Sequence, residues 1–220
     1  MIFLKDEINL PLAIQDYLPV ALFALGLFFV AKMIGAKNDS AGKLAFVGGI
    51  LITLGGAFKA TWKLMQAIGG ADISFFNNSL FVLLSSGFIG LAWALWKSRT
   101  SENSFAKIWL IPIILTAIVW TSAAYFAFFT ESRTWFFLLL GTTTLANLAL
   151  LLQLIFRSFQ NKLWLAVVLF LINLLVIFAL ARSADQTVTM QWIKQFSTTL
   201  AQSAFAFAAF FLLKAERRKI

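Results

Sequence analysis

Long apolar runs alternate with short polar breaks along this chain, and the spacing of the breaks predicts its elements. A helix needs about 20 apolar residues, within a range of roughly 17–25, to cross the hydrocarbon core of a bilayer. Seven segments meet that length: 18–34, 44–62, 75–96, 108–129, 135–156, 163–181 and 192–213. A run such as LWLAVVLFLINLLVIFALA, residues 163–181, is apolar all round and has no face to turn to water. Amphipathic helices in a soluble bundle would have one. The breaks GAKNDSAGK, QAIGGAD, KSRTSENS and RSFQNK are made of turn residues and are too short to hold a soluble domain. The pattern therefore predicts an all-α, polytopic membrane protein, one domain over 1–220 with seven transmembrane helices.

Composition agrees, since 61% of the 220 residues are hydrophobic and 12% charged, against roughly 45–50% and about 25% in soluble domains. The net charge of +9 would suggest nucleic acid in a soluble protein, but its distribution assigns it to topology. Twelve bases, Lys32, Lys37, Lys43, Lys97, Arg99, Lys107, Arg157, Lys162, Lys214, Arg217, Arg218 and Lys219, follow spans one, three, five and seven. The other six are Lys5, Lys59, Lys63, Arg133, Arg182 and Lys194, on the opposite side with Asp6, Glu7, Asp16, Asp72, Glu131 and Asp185. Only Asp39, Glu102 and Glu216 accompany the basic side. Lys and Arg accumulate in cytoplasmic loops, so the N-terminus is expected outside and the C-terminus in the cytoplasm. The basic face then meets anionic headgroups, and no nucleic-acid partner is needed. Acidic residues occupy the place of a signal peptide's basic region, so no cleaved signal is expected and the first span directs insertion. Trp62, Trp96, Trp109, Trp135, Trp164 and Trp192 fall near span ends as interfacial belts. The expected location is the bacterial cytoplasmic (inner) membrane.

Spans two and three can be laid on spans six and seven without a gap, with Gly42 on Asn161 and Lys63 on Arg182. The match is one of spacing and hydropathy. It is compatible with a parallel three-plus-one-plus-three repeat, an arrangement that sets a site between its halves.

Candidate chemistry lies in the polar residues at mid-span, because a polar group in hydrocarbon must pair or meet water. Thr53, Ser85 and Ser86, Thr121, Asn147, Asn173 and Gln202 fall near the centres of six of the seven spans. Gln191, Gln195, Thr198 and Gln202 make a stripe at helical spacing in the first half of span seven. Thr142, Thr143, Thr144 and Asn147 give the outer half of span five the same character, and Gly56, Lys59 and Lys63 line one face of span two. These positions predict a polar vestibule, open to the outside, cationic at its mouth through Lys59, Lys63 and Lys194, and floored by an apolar inner half. The expected ligand-binding residues are Asn147, Asn173, Gln202, Ser86 and Lys59, and the expected ligand is a small anionic or zwitterionic solute.

Plainer readings compete at each position. Ser and Thr hydroxyls bond carbonyls one turn back, an Asn147–Asn173 hydrogen bond would satisfy both amides, and Lys63 and Lys194 sit where lysines reach the headgroups. The stripe Ala45, Gly49, Thr53, Gly56 and Ala60, with Gly87 and Gly90, is explained by close helix contact. Pro112 adds a kink.

Several classes are set aside. The chain has no cysteine and no histidine, which removes thiolate nucleophiles, imidazole ligands and the commonest general base. No nucleophile and base pair is evident, so neither an enzyme, a metal site nor a cofactor is expected. Seven spans with an outside N-terminus is also the topology of microbial rhodopsins and G-protein-coupled receptors, but a retinal-binding lysine is missing at mid-span seven, where Gln202 stands. The sequence points first to a protein that binds and moves a small polar solute or ion. The alternatives are a non-catalytic subunit held to other membrane subunits, and a seven-helix sensor, for which the loops leave little signalling surface.

Overall fold

The computed structural model describes residues 9–100, 104–130, 132–181 and 187–218. The readings placed on Lys5, Asp6, Glu7, Glu102, Glu131, Arg182, Asp185 and Lys219, and on the N-terminal segment, lie outside the described residues. The described residues are helical, with no strand among them. In order the helices are α1 (Leu10–Gln15), α2 (Tyr17–Gly35), α3 (Asp39–Ala67), α4 (Ser74–Lys97), α5 (Phe105–Phe129), α6 (Thr134–Gln160), α7 (Trp164–Ala181) and α8 (Val188–Arg217). Each predicted span falls on its own helix to within a residue, and most helices run on beyond it.

Local signals set these limits. The side chain of Asn9 accepts a hydrogen bond from the Leu12 N–H at 3.0 Å and starts α1, with a proline in the first turn. Asn38 caps α3 in the same way through the Ala41 N–H at 3.0 Å. At the other end of α3, Gly69 takes a φ of 73° and lets the Gly70 N–H return to the Met65 carbonyl at 2.8 Å. Only glycine enters that left-handed conformation without a Cβ penalty. α1 and α2 meet at Asp16 as one nearly continuous rod, Leu10–Gly35. Six helices are long and apolar enough to cross a membrane, and α7 is a shorter apolar one.

Packing closes six helices, α7 among them, into a ring in the order α2, α3, α4, α6, α7, α8, back to α2. α5 stands outside it, against α4 and α6. Its exposed Leu110, Ile113, Ile118 and Phe128 face away from the bundle. α3 and α4 pack closely against each other. A Cβ on Gly48 would lie 2.7 Å from the Gly87 carbonyl oxygen, and one on Gly87 would lie 2.6 Å from the Gly48 oxygen. The two backbones touch because neither carries a side chain. Gly49 and Gly56 belong to a different face of α3, where Leu27 and Val20 of α2 are the neighbours.

The two ends of the bundle differ. At one, which we term the clasp end, Arg157 of α6 and Glu216 of α8 are 4% and 3% exposed and pair at 2.9 Å. Lys37 in the α2–α3 turn reaches the same carboxylate at 2.5 Å, Asn161 donates to it at 3.2 Å, and Arg157 also donates to Ser98 after α4 at 3.2 Å. The end of α6 and the α2–α3 turn thus meet on the α8 carboxylate, and loss of Glu216 would strand the buried Arg157 charge. By their positions in the chain, Arg157 and Glu216 read only as loop and tail charges. Between the two ends the core is filled by Leu27, Val30, Ile34, Phe88, Leu91, Leu154, Phe170, Phe205 and Leu212.

Candidate functional site

The opposite end carries a cavity of about 210 Å³ between α2, α3, α4 and α8. Its wall is built from residues that each helix places by its own periodicity. α3 supplies Ile52, Thr53, Gly56, Lys59, Ala60 and Lys63; α8 supplies Gln195, Thr198 and Gln202 at three- and four-residue steps; α2 adds Pro19, Val20 and Phe23. Asp16 at the α1–α2 junction and Leu80 of α4 complete it. From Lys63 down to Ile52 is about 16 Å of helix, roughly half of the ~30 Å hydrocarbon thickness.

Charge is concentrated at the mouth. Lys63 pairs with Asp16 at 2.6 Å. Lys59 donates to the Asn77 side-chain oxygen on α4 and lies 4.4 Å from the centre of the Trp62 ring, a cation–π geometry. Trp62 in turn donates its indole N–H to Asp72 at 2.8 Å. The rim is tied by Tyr17 with Thr61 at 2.8 Å and by Gln15 donating to Thr199 at 3.4 Å, so α1 lies as a collar at the entrance. On α8, the side-chain nitrogen of Gln195 is buried with no hydrogen-bond partner. Phe23 forms the floor with Ile52. Its ring sits 4.8 Å from that of the buried Phe205 at 65°, and Phe205 is 5.6 Å from Phe170.

Of the five residues proposed from the sequence, Lys59 and Gln202 line this cavity. Asn173 is buried behind it and donates to the Ala201 carbonyl at 2.9 Å, with the Gln202 side-chain oxygen at 3.5 Å. Its partner is α8, rather than Asn147. Asn147 is half-buried on α6, away from the cavity wall. Ser86 is buried on α4 and donates to the Val82 carbonyl at 2.8 Å. The mid-span polar residues thus do not converge on one site. Lys194 is half-buried on α8 beside the mouth, outside the wall.

Asp16, Gln195 and Thr198 are wall residues that the proposed set omitted. Gln195 and Thr198 were visible in the amide stripe of span seven. Asp16 had the signal of a lone acid directly before an apolar span, which a reading confined to span centres passes over. The hydroxyls follow the plainer reading: Thr53 donates to Gly49, Ser85 to Val82, Thr121 to Ala117 and Thr198 to Lys194, each within its own helix.

Among the described residues, no group of three or more acidic, histidine or cysteine side chains is placed to hold a metal ion. The fold and its apolar helices define an integral, all-helical membrane protein. Compared with protein-family models, with curated proteins and with solved structures, the chain matches none.

Proposed function

We propose that this is a seven-span inner-membrane protein of bacterial type, N-terminus outside, that binds a small zwitterionic or anionic solute in the α2–α3–α4–α8 cavity and moves it across the bilayer. The observation that carries the reading is the unpaired, buried Gln195 amide nitrogen, set on a wall that also bears Asp16, Lys59 and Lys63. A buried donor without a partner costs about 1–3 kcal/mol, and an acceptor on a ligand would relieve it. Both signs of charge are present, two ammonium groups and one carboxylate, which suits a ligand bearing a carboxylate and an ammonium. Gln202 and Thr198 offer neutral partners below the charges, with Asn173 positioning Gln202 from behind.

The cavity is closed at depth by Phe23 and Ile52, with Phe205 packed against Phe23. Passage would therefore need α2 and α8 to part at that aromatic contact, the alternating exposure on which secondary transporters depend. The order of the ring supports the three-plus-one-plus-three reading, because α2–α8 and α4–α6 are the two junctions between the halves and α5 is the helix left over. α7, at 18 residues, gives about 27 Å of helix, close to a full crossing.

The test is native mass spectrometry of the full chain extracted gently into lipid nanodiscs. A retained small molecule that is lost in Gln195→Leu and Lys59→Ala is expected. A chain carrying only lipid in wild type and variants alike would sink the solute reading. The rival, a non-catalytic subunit, is favoured by the exposed flank of α5, and a stoichiometric copurifying protein in the same spectra would decide for it.

A further inference from the structure

Two further cavities lie in line along the outer face of the α2–α3 seam. The first, about 240 Å³, is apolar and is walled by Ala24, Leu27, Phe28, Gly49, Ile50 and Leu54, among others. The second, about 540 Å³, opens at the clasp end and is bordered by Lys32, Lys43, Asp39, Gly42 and Arg217. Ala31 and Phe46 line both, so the two form one furrow. Phe28, Phe46, Ile50 and Leu54 are exposed along its banks, and the furrow therefore opens sideways. Gly49, bare of a side chain, leaves the α3 backbone as part of its floor.

We propose that this furrow holds one anionic phospholipid, with an acyl chain against Gly49 and Ala24 and the headgroup phosphate between Lys32 and Arg217. Length fits: Leu54 to Gly42 covers about 18 Å of helix, comparable with the ~15 Å of one leaflet's hydrocarbon. Charge fits as well. Lys43 is offset by Asp39 at 2.7 Å, which leaves Lys32 and Arg217 as the excess positive charge at the mouth. Lys32 is held there with its ammonium 5.4 Å from the Phe28 ring centre. An apolar furrow between helices takes up any acyl chain, and the basic mouth is what selects the headgroup. The site shares only Thr53 with the wall of the solute cavity and does not depend on that reading.

The experiment titrates the delipidated full chain with phosphatidylglycerol and phosphatidylcholine of identical acyl chains and counts bound lipids by native mass spectrometry. Wild type should retain the anionic lipid several-fold more than the zwitterionic one, and the preference should fall as ammonium acetate is raised. Lys32→Ala/Arg217→Ala, at two exposed positions, should bring the two lipids to parity. Ala24→Leu, which enlarges a side chain on the furrow wall, should lower retention of both. Equal retention by wild type, or a preference that survives the double substitution, overturns the headgroup assignment; unchanged retention in Ala24→Leu overturns the acyl-chain assignment.

Discussion

Trp93 and Pro112 make a pair that neither residue suggests alone. Proline has no N–H to give to the carbonyl four residues back, so Pro112 inside α5 deprives Ile108 of its helical donor. Trp93 of α4 fills the vacancy, its indole N–H donating to the Ile108 carbonyl at 2.9 Å. In a bilayer no water replaces such a bond, so the helix break and the interhelical contact are one device. Trp93→Phe should lower stability by about 1 kcal/mol, and by much less in a Pro112→Ala background, where residue 112 regains an N–H. Thermal unfolding in detergent of the two single variants and the double variant measures this coupling. Strictly additive shifts would remove the assigned role of the indole. The sequence shows a tryptophan one turn inside a span and a proline near the end of the next; which carbonyl the ring meets depends on how α4 and α5 are rotated.

At the level of elements, close approach is limited to particular glycines, and they are not the stripe that the sequence makes most visible. Gly48 and Gly87 put the α3 and α4 backbones in contact, while Gly141 on α6 has nothing within 4 Å of a Cβ. Gly87→Ala should therefore push α3 from α4 at a cost of about 1–3 kcal/mol, the usual penalty of overpacking. Gly141→Ala should leave stability unchanged or raise it by up to about 1 kcal/mol through helix propensity. Both are read from melting temperatures in the same detergent, and equal losses would show that the α3–α4 seam tolerates separation. Periodicity identifies the glycine-bearing faces of α3 without ranking them, because the rank depends on which neighbour each face meets.

Across the whole molecule, a buried ion-pair cluster marks one end of the ring and a charged-mouthed cavity the other. Arg157, Lys37, Asn161 and Ser98 converge on or beside Glu216, whereas the cavity wall retains an unpaired amide. The charge asymmetry predicts an orientation with Ala71 outside and Thr100 inside, and the cysteine-free sequence makes it simple to test. Single cysteines at exposed Ala71 and Thr100 should differ in intact cells, with a membrane-impermeant maleimide labelling Ala71→Cys and sparing Thr100→Cys until the cells are opened. The opposite pattern would invert the chain, and labelling of both would remove the assumed crossing between them.

Hydropathy along the sequence was enough to locate the seven apolar helices α2 to α8, with α3 and α8 running four or five residues past the predicted limits at both ends, because a segment apolar on every side has only one way to satisfy its backbone in hydrocarbon. It also identified the wetter halves of spans two and seven, and with them Lys59 and Gln202. The caps at Asn9 and Asn38, and α1 itself, went unread beneath polar flanks. The tertiary structure alone decided the ring order, the peripheral place of α5, the pairing of Asn173 with α8, and the meeting of Arg157 with Glu216. Those outcomes depend on the rotation of each helix about its axis. In chains with so little amphipathic contrast, the linear sequence carries almost no signal for that angle, and side-chain packing between neighbours sets it.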